Sequence, residues 1–299
     1  MSVRTPVVAG RFYADEEHVC RRDLRDCLPA QADALPKEAI PVGGIMPHAG
    51  WMCSGAVAGS VIAAIGARRR PTTVVIFGAV HVYMGPDAAV YARGAWGTPL
   101  GMIEIDEPLA ARIIEESDGL IRDDRGAHSA EHSIEVEVPF VQHAWPEARL
   151  VPIMVQPDER ATTIGKTVGR ACRAVNADVV FLGSTDLTHY GPSYGFTPEG
   201  IGREGLEWAR RVNDRRMIDL MLALRADEIT HEAMQHHNAC GAGAIAATMA
   251  ACRELGATRA DLLTHTTSFE VLFPRFHQPM DDAVGYAGVV FSKDGVTPD

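Results

Sequence analysis

Short β-branched or apolar runs, closed off by Gly or Pro, alternate with longer amphipathic stretches along most of this chain. That alternation is the pattern of βαβ units around a mainly parallel sheet. The strands it predicts are Val42 to Met46, Thr73 to Phe77, Leu150 to Val155, Val179 to Leu182, Leu262 to Thr266 and Val284 to Phe291. Between them Gly55 to Arg68, Pro108 to Ser117, Ile134 to Ala144, Asp158 to Val175, Glu204 to Ala223 and Gly241 to Leu255 read as helices. The last is rich in alanine and suited to close packing. Ala88 to Glu104 reads as a small β excursion. The fold class is therefore α/β, a three-layer α/β/α sandwich around a mainly parallel or mixed sheet. No Ser-rich or Pro-rich linker, repeat or low-complexity segment divides the 299 residues, so a single domain over 1–299 is expected.

Composition narrows the function classes. Hydrophobic residues at 46% and charged residues at 22% are the balance of a globular chain rather than a disordered one. The 39 acidic against 28 basic residues leave a formal charge of -11, which argues against nucleic acid and against anionic membrane surfaces as partners. The opening MSVRTPVVAGRFY lacks the pattern of a secretory signal, and the richest apolar run, Ala56 to Ala67, falls short of the ~20 residues of a membrane span. A cytoplasmic location with no membrane segment is expected. Six cysteines without a C-x-x-C pair are neither a disulfide framework nor a zinc ribbon. Twelve histidines beside them are the unusual feature, since these side chains ligate transition metals and move protons near neutral pH.

Three predicted strands run directly into polar residues. IMPHAGW puts His48 after the first, FGAVHVY puts His81 after the second, and LGSTDLTHYG puts Asp186 and His189 after a later one. Ligands of open α/β sheets bind outside the carboxyl ends of the strands, so three histidines at three exits can meet at one site. A single strand-end histidine is more often a structural hydrogen-bonder; the set is what carries weight. Glycines beside them (Gly50, Gly78, Gly183, Gly191) suit tight turns and close backbone approach. SAEHSIEVEVPF places Glu131 and His132 before a helix, where Ser133 with Glu135 or Glu137 reads as a capping arrangement. HHNACGAGAIAA puts Cys240 near a helix start, where the dipole favours thiolate, against the alternative of a buried inert cysteine. His231, His236 and His237 lie in a polar, solvated stretch, and His18, His128, His143, His265 and His277 have no supporting pattern. Arg68 to Arg70 reads as a helix C-terminal charge cluster. P-loop, G-x-G-x-x-G, G-x-S-x-G and H-E-x-x-H signatures are absent, which leaves nucleotide binding without support.

In order along the chain, RTPVVAGRFY, PHAGWMCSG, GAVH, WGTPLG, EHSIEVEVPF, VPIMV, STDLTHYG, NACGAG and AVGYAG resemble the Memo family, known in bacteria and archaea as AmmeMemoRadiSam system protein B. The resemblance runs from Arg4 to about Phe291. It implies kinship with the class III extradiol (LigB-like) dioxygenases, hence their α/β sandwich fold and a metal pocket. It further implies that His48, His81 and Cys240 are the metal ligands, and that His189, with Asp186 near it, and His132 line the same pocket as catalytic groups. Relatives usually carry Pro-Asn or Pro-Ser where Ala79-Val80 stand, Tyr at Trp51 and often Arg at Ala242.

Two imidazoles and one anionic ligand suit non-haem iron(II) with O2 and a small chelating, catechol-like or other aromatic substrate. Here the anion is a thiolate, which raises preference for copper(I) or zinc and is open to oxidation. Three functions follow as expectations: an iron(II)-dependent dioxygenase with His189 and His132 as base and acid, a zinc hydrolase, or a non-catalytic protein that binds a metal or a partner. A homodimer is the base-rate expectation, with no interface residue to name.

Overall fold

A computed structural model describes residues 2–31, 34–82, 85–277 and 280–295. The chain opens with β1 (Val3–Arg4) and α1 (Glu17–Cys27), followed by β2 (Ala39–Met46), α2 (Trp51–Gly66) and β3 (Thr73–Gly78). The predicted excursion is three strands, β4 (Ala88–Val90), β5 (Ala95–Thr98) and β6 (Gly101–Glu104). Next come α3 (Glu107–Glu116), β7 (Ile121–Asp123), a 3-10 turn at Glu135–Glu137 and α4 (Val138–Ala144). The second half holds β8 (Arg149–Val155), α5 (Ala161–Ala174), β9 (Val179–Ser184) and β10 (His189–Tyr190). A helical run, α6 (Arg203–Trp208), a π turn (Ala209–Asn213) and α7 (Asp214–Leu222), leads to α8 (Ile229–His236) and α9 (Ala242–Glu254). β11 (Arg259–Thr267), α10 (Ser268–Phe276) and β12 (Ala283–Asp294) complete the order.

The main sheet is mixed. Its centre, β2-β9-β3-β8, is parallel throughout, and β12 pairs antiparallel with β2 on one side while β4 pairs antiparallel with β8 on the other. Every residue of β3 and β9 is buried, which is why these strands read as continuous apolar runs rather than alternations. One face carries α3, α5, α7, α8 and α9; the other carries α1, α2, α4 and a small sheet of β1, β5 and β6. This is the three-layer α/β/α arrangement. Alanine and glycine let α5 and α9 nearly touch: a Cβ at Gly165 would lie 2.1 Å from the Ala247 carbonyl oxygen.

Local chemistry explains several boundaries and corrects others. Asp106 caps α3 by accepting the Leu109 amide at 3.1 Å, with Pro108 in the first turn. Thr267 and Glu270 form a reciprocal capping box on α10. The capping role expected of Ser133 is not found, because its hydroxyl donates instead to the Ala79 carbonyl at 3.0 Å. The arginines after α2 bond backbone carbonyls, Arg68 those of Leu35 and Ala39 and Arg69 that of Pro41, as a C-terminal charge cluster should.

Candidate metal centre

Parallel register sets where the site falls. Met46 aligns with Ser184 across β2 and β9, and Phe77 with Gly183 across β9 and β3. The segments leaving these strands therefore emerge side by side at the carboxyl edge, and they carry His48, His81, Asp186 and His189. Cys240 arrives from the far side, on the loop before α9. Gly241 makes this approach possible, since a Cβ there would sit 2.2 Å from the Ser184 carbonyl oxygen. The Cys240 amide donates to the Asp186 carbonyl at 3.2 Å and its Sγ accepts the Asp186 amide at 3.3 Å, which laces the two loops together.

The side chains form a cup with His48 and Asp186 buried at the floor and His81, His132 and His189 in its walls. His48 Nε2 stands 3.4 Å from Cys240 Sγ, and the ligand atoms of His48, His81 and Cys240 all lie within 4.8 Å of one another. His132 closes the wall, its ring centroid 4.7 Å from that of His81 and 5.4 Å from that of His48. Phe12 from the N-terminal arm packs edge-on against His132 at 4.9 Å.

Tautomers follow from the hydrogen bonds. The Ser184 hydroxyl has one proton, given to the Ser133 carbonyl at 2.7 Å, so at 2.7 Å from His48 it accepts, and Nδ1 carries the hydrogen. His81 Nδ1 donates to Glu131 Oε1 at 2.9 Å and His189 Nδ1 to the Leu187 carbonyl at 3.1 Å. In their neutral forms these imidazoles carry the hydrogen on Nδ1 and the lone pair on Nε2, the arrangement by which carboxylate and hydroxyl partners orient metal-binding histidines. The 3.4 Å between His48 Nε2 and Cys240 Sγ is close to the ~3.6 Å expected for nitrogen and sulfur sharing one tetrahedral ion. The donor set fits a transition metal.

A second group, His81, Glu131 and His132, also brings three ligand atoms together. Glu131 is already saturated: Oε1 accepts from His81 Nδ1 and from the amides of His132 and Ser133, and Oε2 from the His81 amide. It orients His81 rather than competing for an ion. This partner was missed at the level of sequence; the signal available was a glutamate immediately preceding one of the pocket histidines. Ser184, at the last position of β9, was likewise unread.

Charge follows burial. His48 is held well below the ordinary imidazole range by burial, with His81 and His132 adding to the effect, so it is neutral. Burial also lowers His132. For His81 burial works downward but the Glu131 bond and charge outweigh it and raise the pKa. Asp186 is raised by burial, although His189 and the His48 and Ala49 amides oppose it. The lowered thiol expected for Cys240 from the helix dipole is reversed: burial, joined by the Asp186 charge, drives it up. Hydrogen bonds from the Asp186 amide and Thr185 oppose this, and a bound cation would favour thiolate further.

Other sequence candidates fall elsewhere. His128 is a core residue, packed edge-on against Trp96 at 5.6 Å and Tyr91 at 5.9 Å. Trp51 is buried between Tyr13 and Phe140 rather than lining the cup. Glu135 binds Arg4 at 2.7 Å, and both oxygens of the fully buried Glu137 lack a hydrogen-bond partner.

Fold and cup together define an α/β protein built around a candidate metal centre of two imidazoles and one thiol. The Memo-like protein family matches residues 4–290. A MEMO1 family protein of Thermococcus onnurineus is 36% identical over 298 residues, covering 97% of this chain and 100% of the relative. Another, of Methanothermobacter thermautotrophicus, is 38% identical over 294 residues, covering 95% and 99%. The chain belongs to the Memo family. A crystal structure of the uncharacterized protein JW3007 from Escherichia coli K12 matches with a TM-score of 0.52 at 11% identity, over 83% of this chain and 98% of that one, a likeness of fold alone. Among the described residues no helix is long and apolar enough to cross a membrane.

Proposed function

We propose that this protein is a non-haem iron(II)-dependent dioxygenase acting on a small chelating aromatic substrate, with O2 as co-substrate. The observation that carries the reading is the convergence of His48 Nε2, His81 and Cys240 Sγ within 4.8 Å, each imidazole fixed in the metal-binding tautomer by its own partner. Iron(II) held by His48, His81 and Cys240 would supply open coordination positions for O2 and a chelated diol and carry electrons from the diol to O2. The protein's own groups do the rest. In this reading His189, whose Nδ1 donates to the Leu187 carbonyl, takes a hydroxyl proton from the substrate, and His132, beside Glu131, returns one. Asp186 acts through others: its Oδ1 accepts the His48 amide at 3.0 Å and the Ala49 amide at 3.3 Å, which anchors the His48 loop.

One feature favours a second reading. A sulfur ligand is softer than the carboxylate more usual beside two histidines, and it suits zinc or copper(I), in a hydrolase or in a protein that binds metal without turnover. Elemental analysis of protein purified without oxygen, beside His81→Ala and Cys240→Ala, separates these. Near-stoichiometric iron that vanishes in both variants, with oxygen uptake on catechol-like compounds that His189→Ala abolishes while retaining metal, is the expected result. Zinc or copper with no oxygen uptake refutes the dioxygenase reading. Absence of any bound metal after reconstitution refutes the centre itself.

A further inference from the structure

Two loops of the cup, 185–189 and 237–241, are held from behind by groups that have no part in the chemistry above. The π turn Ala209–Asn213 interrupts the helical run 203–222, and turns of this kind recur at functional sites. Its last residue, Asn213, and the first of α7, Asp214, are both buried. Asn213 Nδ2 donates to Thr188 Oγ1 at 3.2 Å and to the His236 carbonyl at 2.8 Å. The Asn213 carbonyl accepts Asn238 Nδ2 at 3.0 Å. Asp214 Oδ1 accepts the Thr188 amide at 3.0 Å, and Oδ2 faces His265 Nε2 at 3.0 Å. Gly285 leaves room for this carboxylate, because a Cβ there would come within 2.1 Å of Oδ2.

Thr188 is therefore gripped at its amide, its hydroxyl and, through the Gly285 amide at 3.0 Å, its carbonyl. It directly precedes His189, and Asn238 stands two residues before Cys240. Asn213 ties both loops, its side chain holding Thr188 and the His236 carbonyl and its own carbonyl holding Asn238, and Asp214 reinforces the tie to Thr188. We propose that Asn213 and Asp214 are positioning residues of this centre, fixing where the Cys240 sulfur and the His189 ring stand relative to His48. NACGAG and AVGYAG acquire a role by the same geometry: Asn238 is the tie to the Cys240 loop, and Gly285 makes space for Asp214. The functional meaning of the proposal rests on the metal-centre reading, and the test keeps the two apart.

The test uses the full chain and two readouts. Cobalt(II) titrated into oxygen-free protein reports affinity and the thiolate-to-cobalt charge-transfer absorption. In metal-free protein, alkylation by iodoacetamide resolved by peptide mass spectrometry reports the exposure of Cys240, with Cys53 as internal reference. Asn213→Ala and Asp214→Ala should each weaken cobalt binding by about tenfold or more, the scale seen for groups that orient ligands. They should also dim the charge-transfer band and speed Cys240 alkylation relative to Cys53. Asp214→Asn, which keeps an oxygen for the Thr188 amide, should recover most of the loss. Folded variants with unchanged affinity, band and alkylation ratio overturn the proposal, as does a rise in alkylation of both cysteines in step, which marks general loosening. If Asn213→Ala does not fold, Asn238→Ala cuts the tie between Asn213 and the Cys240 loop, together with the Asn238 bond to Glu232 Oε1 at 3.1 Å, while sparing the Thr188 ties, and the same ratio decides. Wild-type protein that binds no cobalt refutes the metal centre, while the alkylation ratio still tests the positioning role.

Discussion

Arg4 offers the sharpest quantitative test of how the cup is braced. Its guanidinium is buried and makes three bonds across the chain: Nε to the His128 carbonyl at 2.8 Å, Nη1 to Glu135 Oε2 at 2.7 Å and Nη2 to the Glu131 carbonyl at 2.6 Å. Its plane lies over Trp96 at 4.2 Å. Glu135 in turn accepts the Val7 and Val8 amides and the Tyr13 hydroxyl, which fastens the N-terminal arm to the segment bearing Glu131 and His132. Arg4→Met keeps the stem and removes the charge, leaving a buried carboxylate and two carbonyls without their cationic partner. Breaking one side of a buried pair costs about 3–5 kcal/mol. At about 2 °C per kcal/mol for a large domain, the melting midpoint should fall by about 6–10 °C. Differential scanning calorimetry measures this, and the double variant Arg4→Met, Glu135→Leu should cost clearly less than the sum of its singles, since the orphaned charge is then gone. A fall below about 2 °C, or strict additivity, would refute the view that this pair clamps the arm.

Three further outcomes are expected. Glu131→Gln sets an NH2 against backbone amides that now meet only oxygen, so His81 should lose its orientation and metal affinity fall about 10–100-fold, measured by competition with a chelator. Burial, with Asp186 adding to it, drives the Glu137 carboxyl well above 4.5, so the folded state keeps a proton that the unfolded chain releases. This carboxyl's own contribution is then fullest below about pH 4.5 and is lost as pH rises, so the advantage of Glu137→Gln in melting temperature should grow as pH rises above about 5; a flat difference would sink this account. Gly165→Ala collides with Ala247 backbone rather than with a side chain that could yield and should cost about 1–3 kcal/mol in urea unfolding, whereas Gly66→Ala, whose nearest neighbours are 3.9 Å away, should be neutral or stabilising.

Much of the architecture was legible because buried strands are written as unbroken apolar runs. All six predicted strands are present, with ends that differ by up to three residues, the shifts at β2, β11 and β12 being the largest. What escaped has physical causes. In α1 the buried face rests chiefly on Cys20 and Leu24 amid charged residues, too thin a stripe to show as a period. α10 carries Pro274 and three phenylalanines, which disguise a helix, although its Thr267–Glu270 capping box was there to be read. His48, His81, Asp186 and His189 could be grouped from sequence because each follows a strand at one edge, whereas the ligand set with Cys240, and the place of His132 beside it, came from the family resemblance. Their partners Glu131 and Ser184 were not, since orientation of a ring nitrogen is a property of space rather than of spacing. For Cys240 the sequence left a dipole-favoured thiolate and a buried thiol both open for a related reason: a helix start is visible in sequence, but the burial that raises the thiol is not.

His48 and Cys240 are 192 positions apart, yet their donor atoms face each other. At ribosomal speeds of about 5–20 residues per second, about 10–40 s separate their emergence during synthesis. Until residue 240 is made the chain carries His48 and then His81 without the Cys240 sulfur that completes this donor set. A metal taken up by this centre would therefore meet its full donor set only in the nearly completed chain, and its identity would follow from what is available to the finished fold.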